Sequence, residues 1–89
     1  FGVYLEAKAA ADAALAASGL GYTIVRPGSL TDEPATDRVA VAPELPPGQI
    51  PRADVALVLL ACLTELNTIG KAFDVTSGLL PIHLALSEL

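Results

Sequence analysis

The stretch Tyr22-Thr23-Ile24-Val25-Arg26, halted by Pro27-Gly28, is almost unbroken in β-branched and aromatic side chains. A strand with one wet face alternates apolar and polar residues, whereas a strand covered on both faces has no need to, so this run predicts a parallel strand. A second β-type run, Lys71 to Thr76, lies downstream, and Ala53 to Leu63 between them reads as a mostly buried helix. Strand, helix and strand in that order give a parallel pair joined by a right-handed crossover, the repeating unit of doubly wound α/β sheets.

The rest of the chain extends that unit. Val3 to Ser18 is dominated by alanine, the best helix former, and Gly19 stands where a left-handed C-terminal cap is expected, so the spacing predicts a first helix with a small-residue face. Ser29 to Gly48 reads as a long proline-rich loop carrying one minor strand, Arg38 to Ala42. Asp54 falls near the start of the second helix, where the dipole favours an anion, and Asn67 to Gly70 closes that segment. Pro81 to Leu89 reads as a short terminal helix opened by proline. The predicted order is α-β-loop-α-β-α, within one domain spanning 1–89.

Two strands do not make a doubly wound sheet. The strand at Tyr22 to Arg26 is expected to leave buried backbone groups unpaired at about 1–3 kcal/mol each, against a net domain stability of about 5–15 kcal/mol. The expectation is that 1–89 is the C-terminal portion of a larger Rossmann-like domain, held by its missing half, a partner chain or self-association through an exposed sheet edge.

Composition removes several functions. Apolar residues make up 53% and charged ones 17%, too rich in core formers for a disordered tail. Ten acidic against five basic residues give −5, the wrong sign for tracking nucleic acid. The longest apolar run, Val55 to Leu63, falls short of the roughly 20 residues that span a bilayer. The single cysteine, Cys62, lies in that run and reads as a buried hydrophobe, which makes a reducing cytoplasm the expected setting. His83, the one histidine, has no second ligand near it in sequence, so no metal is expected.

One pair carries chemistry. On a helix Tyr4 and Lys8, four apart, share a face. A phenol ordinarily loses its proton near pH 10, and a cation within about 4–6 Å lowers such a value by about 1–3, towards general acid–base work at neutral pH. An ordinary exposed helix shows the same spacing, so the pair alone selects nothing. Arg26 suits either a cofactor phosphate or substrate carboxylate, or a salt bridge to Asp54 or Asp74; Arg52 carries the same ambiguity. Asp32, Glu33 and Asp37 look like a solvated loop, and neither Ser29 nor Ser77 has the setting of a hydrolase nucleophile.

Context narrows the reading. Tyr4-Leu5-Glu6-Ala7-Lys8, Ala11 to Leu15, Ser18 to Pro34 with its phrase Tyr22-Thr23-Ile24-Val25-Arg26-Pro27-Gly28, and Arg52-Ala53-Asp54-Val55-Ala56 together resemble the atypical short-chain dehydrogenase/reductases, in their NAD(P)H-binding, NmrA-like branch. The resemblance implies a Rossmann fold that binds NADP or NAD. It implies Tyr4 as proton donor or acceptor, Lys8 beside it and on the nicotinamide ribose, and Pro27, Gly28, Ser29 and Leu30 passing beside the nicotinamide. Pro27 ends its strand at the carboxyl edge, where ligands bind in open α/β sheets, and Gly28 is expected to let backbone approach a flat ring.

The sequence also departs from that pattern. Gly19-Leu20-Gly21 follows a helix and precedes a strand, the reverse of a dinucleotide fingerprint, so it reads as a cap and turn. The phosphate turn and the remaining catalytic hydroxyl are expected upstream of Phe1, and this chain alone is expected to be inactive. Two functions stay open: an oxidoreductase moving hydride between the nicotinamide and a small carbonyl or quinone-like substrate, or a non-catalytic NAD(P)-binding regulator.

Overall fold

A computed structural model describes residues 2–5 and 21–89. Its strands are β1 (Gly2–Leu5), β2 (Tyr22–Pro27), β3 (Ser29–Thr31), β4 (Arg38–Ala42), β5 (Gln49–Pro51), β6 (Lys71–Ser77) and β7 (Leu80–Pro81). Its helices are α1 (Arg52–Cys62) and α2 (Ile82–Ser87), with a 3-10 turn at Leu66–Thr68. The main sheet has the order β1-β2-β6-β4-β7, and β3 pairs with β5 in a second, two-stranded sheet.

The parallel reading of Tyr22 to Arg26 holds. β2 runs parallel to β6 with Val25 opposite Phe73 and Arg26 opposite Asp74. Thr23, Ile24 and Val25 are all buried, which explains why the strand does not alternate. β4 turns the sheet's far side antiparallel, pairing with both β6 and β7.

Two expectations need correction at the near side. Val3 to Leu5 are strand rather than the opening of a helix, and they run parallel to β2 with Tyr4 opposite Ile24. The physical reason is the one that made the edge a liability: β2 has backbone donors and acceptors to satisfy, and Val3, Tyr4 and Leu5 are β-compatible side chains that satisfy them. The strand at Tyr22 to Pro27 is therefore an interior strand, with β1 at the margin. The remainder of the predicted first helix lies outside the described residues.

One face of the sheet carries the core. Val25, Phe73 and Val75 meet Val55 and Val58 of α1 and Leu86 of α2, all buried. Burying an aromatic or branched aliphatic side chain contributes about 1.5–3 kcal/mol, so this layer holds the strand register. Gly70, at φ +80, turns the chain into β6, and its N–H donates to the Tyr22 carbonyl. The Thr23 hydroxyl donates to the Thr68 carbonyl at 2.9 Å, fixing the same turn beneath β2. Cys62 is buried as expected, and burial pushes its thiol pKa up, reinforced by the Glu65 charge and partly opposed by a hydrogen bond from Thr68. No helix among the described residues is long and apolar enough to cross a membrane.

Candidate functional site

Parallel strands leave their carboxyl ends at one rim. There β2 stops at Pro27, and the chain changes sheets at Gly28 to begin β3. The Gly28 N–H donates to the Val75 carbonyl at 3.0 Å and the Ser29 N–H to the Gly48 carbonyl at 2.9 Å. A side chain at Gly28 would collide with the Gly48 carbonyl oxygen and lie 3.2 Å from the Thr76 methyl. The need for glycine here is accounted for by the approach of two backbone segments.

Beside this junction lies a cavity of about 220 Å³, lined by Arg26, Pro27, Gly28, Asp74 and Thr76 and roofed by residues 45–48. Arg26 Nε donates to Asp74 Oδ1 at 2.8 Å, so the ion-pair alternative holds, with Asp74 as partner. Asp74 Oδ2 accepts the Leu45 N–H at 2.9 Å, and Arg26 Nη2 donates to the Pro43 carbonyl at 2.7 Å. These bonds strap the proline-rich segment 43–48 across the ends of β2 and β6. Burial works to raise the Asp74 pKa, but the hydrogen bonds from Arg26 and the Leu45 N–H, with the Arg26 charge, outweigh it and hold the carboxyl below the usual aspartate value.

Of the residues implied by the resemblance, Pro27 and Gly28 line this cavity. Ser29 and Leu30 follow at the same rim, exposed, in β3 beside β5. Tyr4 stands apart from them. Its ring lies back over Gly2, with the hydroxyl 2.8 Å from where a Gly2 Cβ would stand, towards the amino end of β1 and away from the rim. Lys8 lies outside the described residues. A larger cavity of about 550 Å³ sits at the opposite, amino end of β6 beside Lys71 and Leu89, where a parallel sheet does not place its ligands.

Two structural roles were not visible in sequence. Asp54 is fully buried, and its carboxylate accepts the N–H of Asp37 at 2.8 Å, the N–H of Thr36 at 3.0 Å and the Thr36 hydroxyl at 3.0 Å. It pins the loop before β4 to the start of α1, with Asp37 in the left-handed region at φ 62. The segment 43–48, which composition marks only as loop, is the cavity roof. Arg52 pairs with Asp32 at 3.0 Å on the exposed surface, which gives it a structural partner; Glu33 is exposed as expected.

The described residues suit one end of a dinucleotide. The rim offers the apolar surfaces of Pro27 and Leu30 and the Ser29 hydroxyl, which fit an uncharged ring. The Gly28 and Ser29 N–H groups are already spent on protein carbonyls, and no glycine-rich turn opens a helix among the described residues to hold a pyrophosphate.

Comparison with known proteins identifies the fold and the family. A putative NAD-dependent epimerase/dehydratase from Bacillus halodurans superposes with a TM-score of 0.83 at 42% identity, over 89% of this chain and 38% of that one. The oxidoreductase ylbE from Lactococcus lactis superposes at 0.81 with 32% identity, over 89% of this chain and 36% of that one. Among curated sequences, the uncharacterised sugar epimerase YhfK of Bacillus subtilis is 51% identical over 86 residues, 97% of this chain and 40% of its own length. The chloroplastic protein At2g34460 of Arabidopsis thaliana, also uncharacterised, is 38% identical over 79 residues, 86% of this chain and 28% of its own length. The chain thus spans well under half of these relatives. The NAD(P)H-binding family matches residues 1–66, about three quarters of the chain. With its parallel Rossmann-type sheet and a cavity at the carboxyl rim, this chain belongs to the NAD(P)H-binding family.

Proposed function

We propose that the chain supplies the substrate-side rim of an NAD(P)-dependent oxidoreductase that moves hydride between the nicotinamide and a small carbonyl or quinone-like substrate. The observation that carries this reading is the cavity at the β2–β3 junction, set at the carboxyl ends of parallel strands and walled by Pro27 and Gly28. The nicotinamide, when bound, carries the hydride. Pro27, Gly28, Ser29 and Leu30 bound its ring, Tyr4 moves the proton at the substrate oxygen, and Lys8 stands beside the phenol and holds ribose hydroxyls. Relatives bearing epimerase and oxidoreductase names support this class of chemistry. A single buried cysteine supports a reducing, cytoplasmic setting.

The catalytic role of Tyr4 has a structural requirement. Tyr4 and Lys8 come within reach of each other only on a helix, since on a strand positions i and i+4 share a face but stand about 13 Å apart, so in the complete protein another strand must take the place of β1 beside β2. The test is turnover in the complete protein that carries this sequence, followed as NADPH and NADH oxidation over a panel of carbonyl and quinone acceptors. Tyr4→Phe is expected to lower turnover by about 10²–10⁴-fold, and unchanged turnover rejects the assignment.

One observation favours a second reading, a non-catalytic NAD(P)-binding regulator of the NmrA-like type: the Tyr4 hydroxyl lies over Gly2 rather than at the rim. Cofactor binding without turnover on any acceptor, together with cofactor-dependent association with a protein partner, would select it.

A further inference from the structure

We propose that the Arg26–Asp74 pair sets the charge preference of the rim cavity, so that it accepts an uncharged carbonyl or hydroxyl compound and turns away carboxylates and phosphates. This rests on the cavity being the substrate site of the proposed function. Arg26 and Asp74 are the charged side chains among its described lining residues, and they offset each other through a 2.8 Å contact. Asp74 therefore offsets the cation that, among the described lining residues, an anionic substrate would seek.

Among the described residues the wall offers few backbone donors besides the Gly48 N–H. Pro27, Pro46 and Pro47 have no N–H to offer. The Leu45 N–H is spent on Asp74 and the Gly28 N–H on Val75. An anion leaving water needs several donors or a cation to replace its hydration, and a neutral molecule does not. Thr76 lines the cavity, and its hydroxyl makes only a long 3.4 Å contact to the Ser77 carbonyl, which leaves it available to a substrate oxygen.

The test compares hydroxyacetone with pyruvate, an uncharged and an anionic carbonyl compound of the same carbon count. Each is titrated into the complete protein that carries this sequence, and the Gly28, Gly48 and Thr76 amide signals are followed by NMR. The native protein is expected to bind hydroxyacetone about tenfold more tightly than pyruvate, the scale of one nearby charge. Asp74→Asn is expected to move that preference towards pyruvate by removing the negative charge set against Arg26, and the double variant Arg26→Gln/Asp74→Asn to restore it. Pyruvate preferred by the native protein overturns the proposal, as does a preference that does not move in Asp74→Asn. If Asp74→Asn fails to fold, Arg26→Gln decides the matter: it leaves the Asp74 charge without its guanidinium and is expected to widen the native preference for hydroxyacetone, and an unchanged preference overturns the proposal. NADPH and NADH binding is measured in parallel: its absence refutes the proposed function, whereas its presence with the wrong charge preference refutes only this inference.

Discussion

Replacing Asp54 separates a buried carboxylate that organises a loop from one that merely suits a helix start. Asp54 is the third residue of α1, where an anion contributes about 0.3–1 kcal/mol through the dipole. If that were its whole role, Asp54→Ala would cost about that much. The structure assigns it more: the N–H groups of Thr36 and Asp37 and the Thr36 hydroxyl all converge on the carboxylate. Hydrogen bonds to a charged group contribute about 1.5–3 kcal/mol each. Thr36 and Asp37 are exposed, so their donors recover water when the carboxylate is lost, and each bond belongs at or below the low end. The released loop also lets Asp37 leave φ 62, returning about 1 kcal/mol. The net expectation for Asp54→Ala is a loss of about 3 kcal/mol. Asp54→Asn differs in kind. Its amide oxygen can keep both N–H donors, and its amide nitrogen can donate to Thr36 Oγ1, whose own proton then goes to the Arg38 carbonyl 3.1 Å away. Only charge assistance and the dipole contribution disappear, so Asn is expected to lose about 1 kcal/mol. Urea unfolding, with midpoints converted through a common slope, resolves the two values. A loss below about 1 kcal/mol for the alanine variant, or an asparagine variant as damaged as the alanine one, would refute the anchoring role.

Two further outcomes follow from the site. Gly28→Ala places a methyl group against the backbone carbonyl of Gly48, which cannot turn aside, whereas Gly48→Ala meets the Thr76 methyl at 3.0 Å, the end of a side chain that can rotate. Gly28→Ala is expected to lose about 1–3 kcal/mol and Gly48→Ala less, read as thermal midpoints, and the reverse order would remove the close-approach argument. Asp74 has a lowered folded pKa, so its contribution is fully present above the unfolded value of about 3.9 and fades as pH falls through the folded value. The stability difference between native protein and Asp74→Asn is therefore expected to shrink on acidification from about pH 5 to pH 2, and a pH-independent difference would sink the ion-pair assignment.

The parts of the fold legible in sequence are those decided locally. Tyr22 to Arg26, Arg38 to Ala42, Ala53 to Leu63 and Lys71 to Thr76 lie within a residue or two of β2, β4, α1 and β6, because a run of β-branched residues or a helical apolar pattern states its own preference. The short strands β3, β5 and β7 carry no such run. Gln49–Pro51 and Leu80–Pro81 even end in proline, and they exist because a distant segment offers backbone partners. Val3 to Leu5 went the same way, since alanine-rich residues after them argued for helix while the open side of β2 argued for strand.

The candidate site was half legible for a related reason. In sequence Arg26 has Asp54 and Asp74 as candidate partners, and which acid meets it depends on register between strands forty-eight residues apart. That register is held from the opposite face, where Val25, Phe73 and Val75 are buried against the helices. Side chains alternate across a strand, so a slip of one residue between β2 and β6 would drive Asp74 into the helix layer and bring Phe73 out to the cavity. The core and the strap are thus two sides of one constraint. Packing of Val25 and Phe73 selects the pairing, the pairing sets Asp74 beside Arg26, and that pair draws residues 43–48 over the rim. A residue in the core that loosens the register should therefore reach the cavity without touching it, and sequence alone, which lists the two faces as one alternating string, carries no trace of that link.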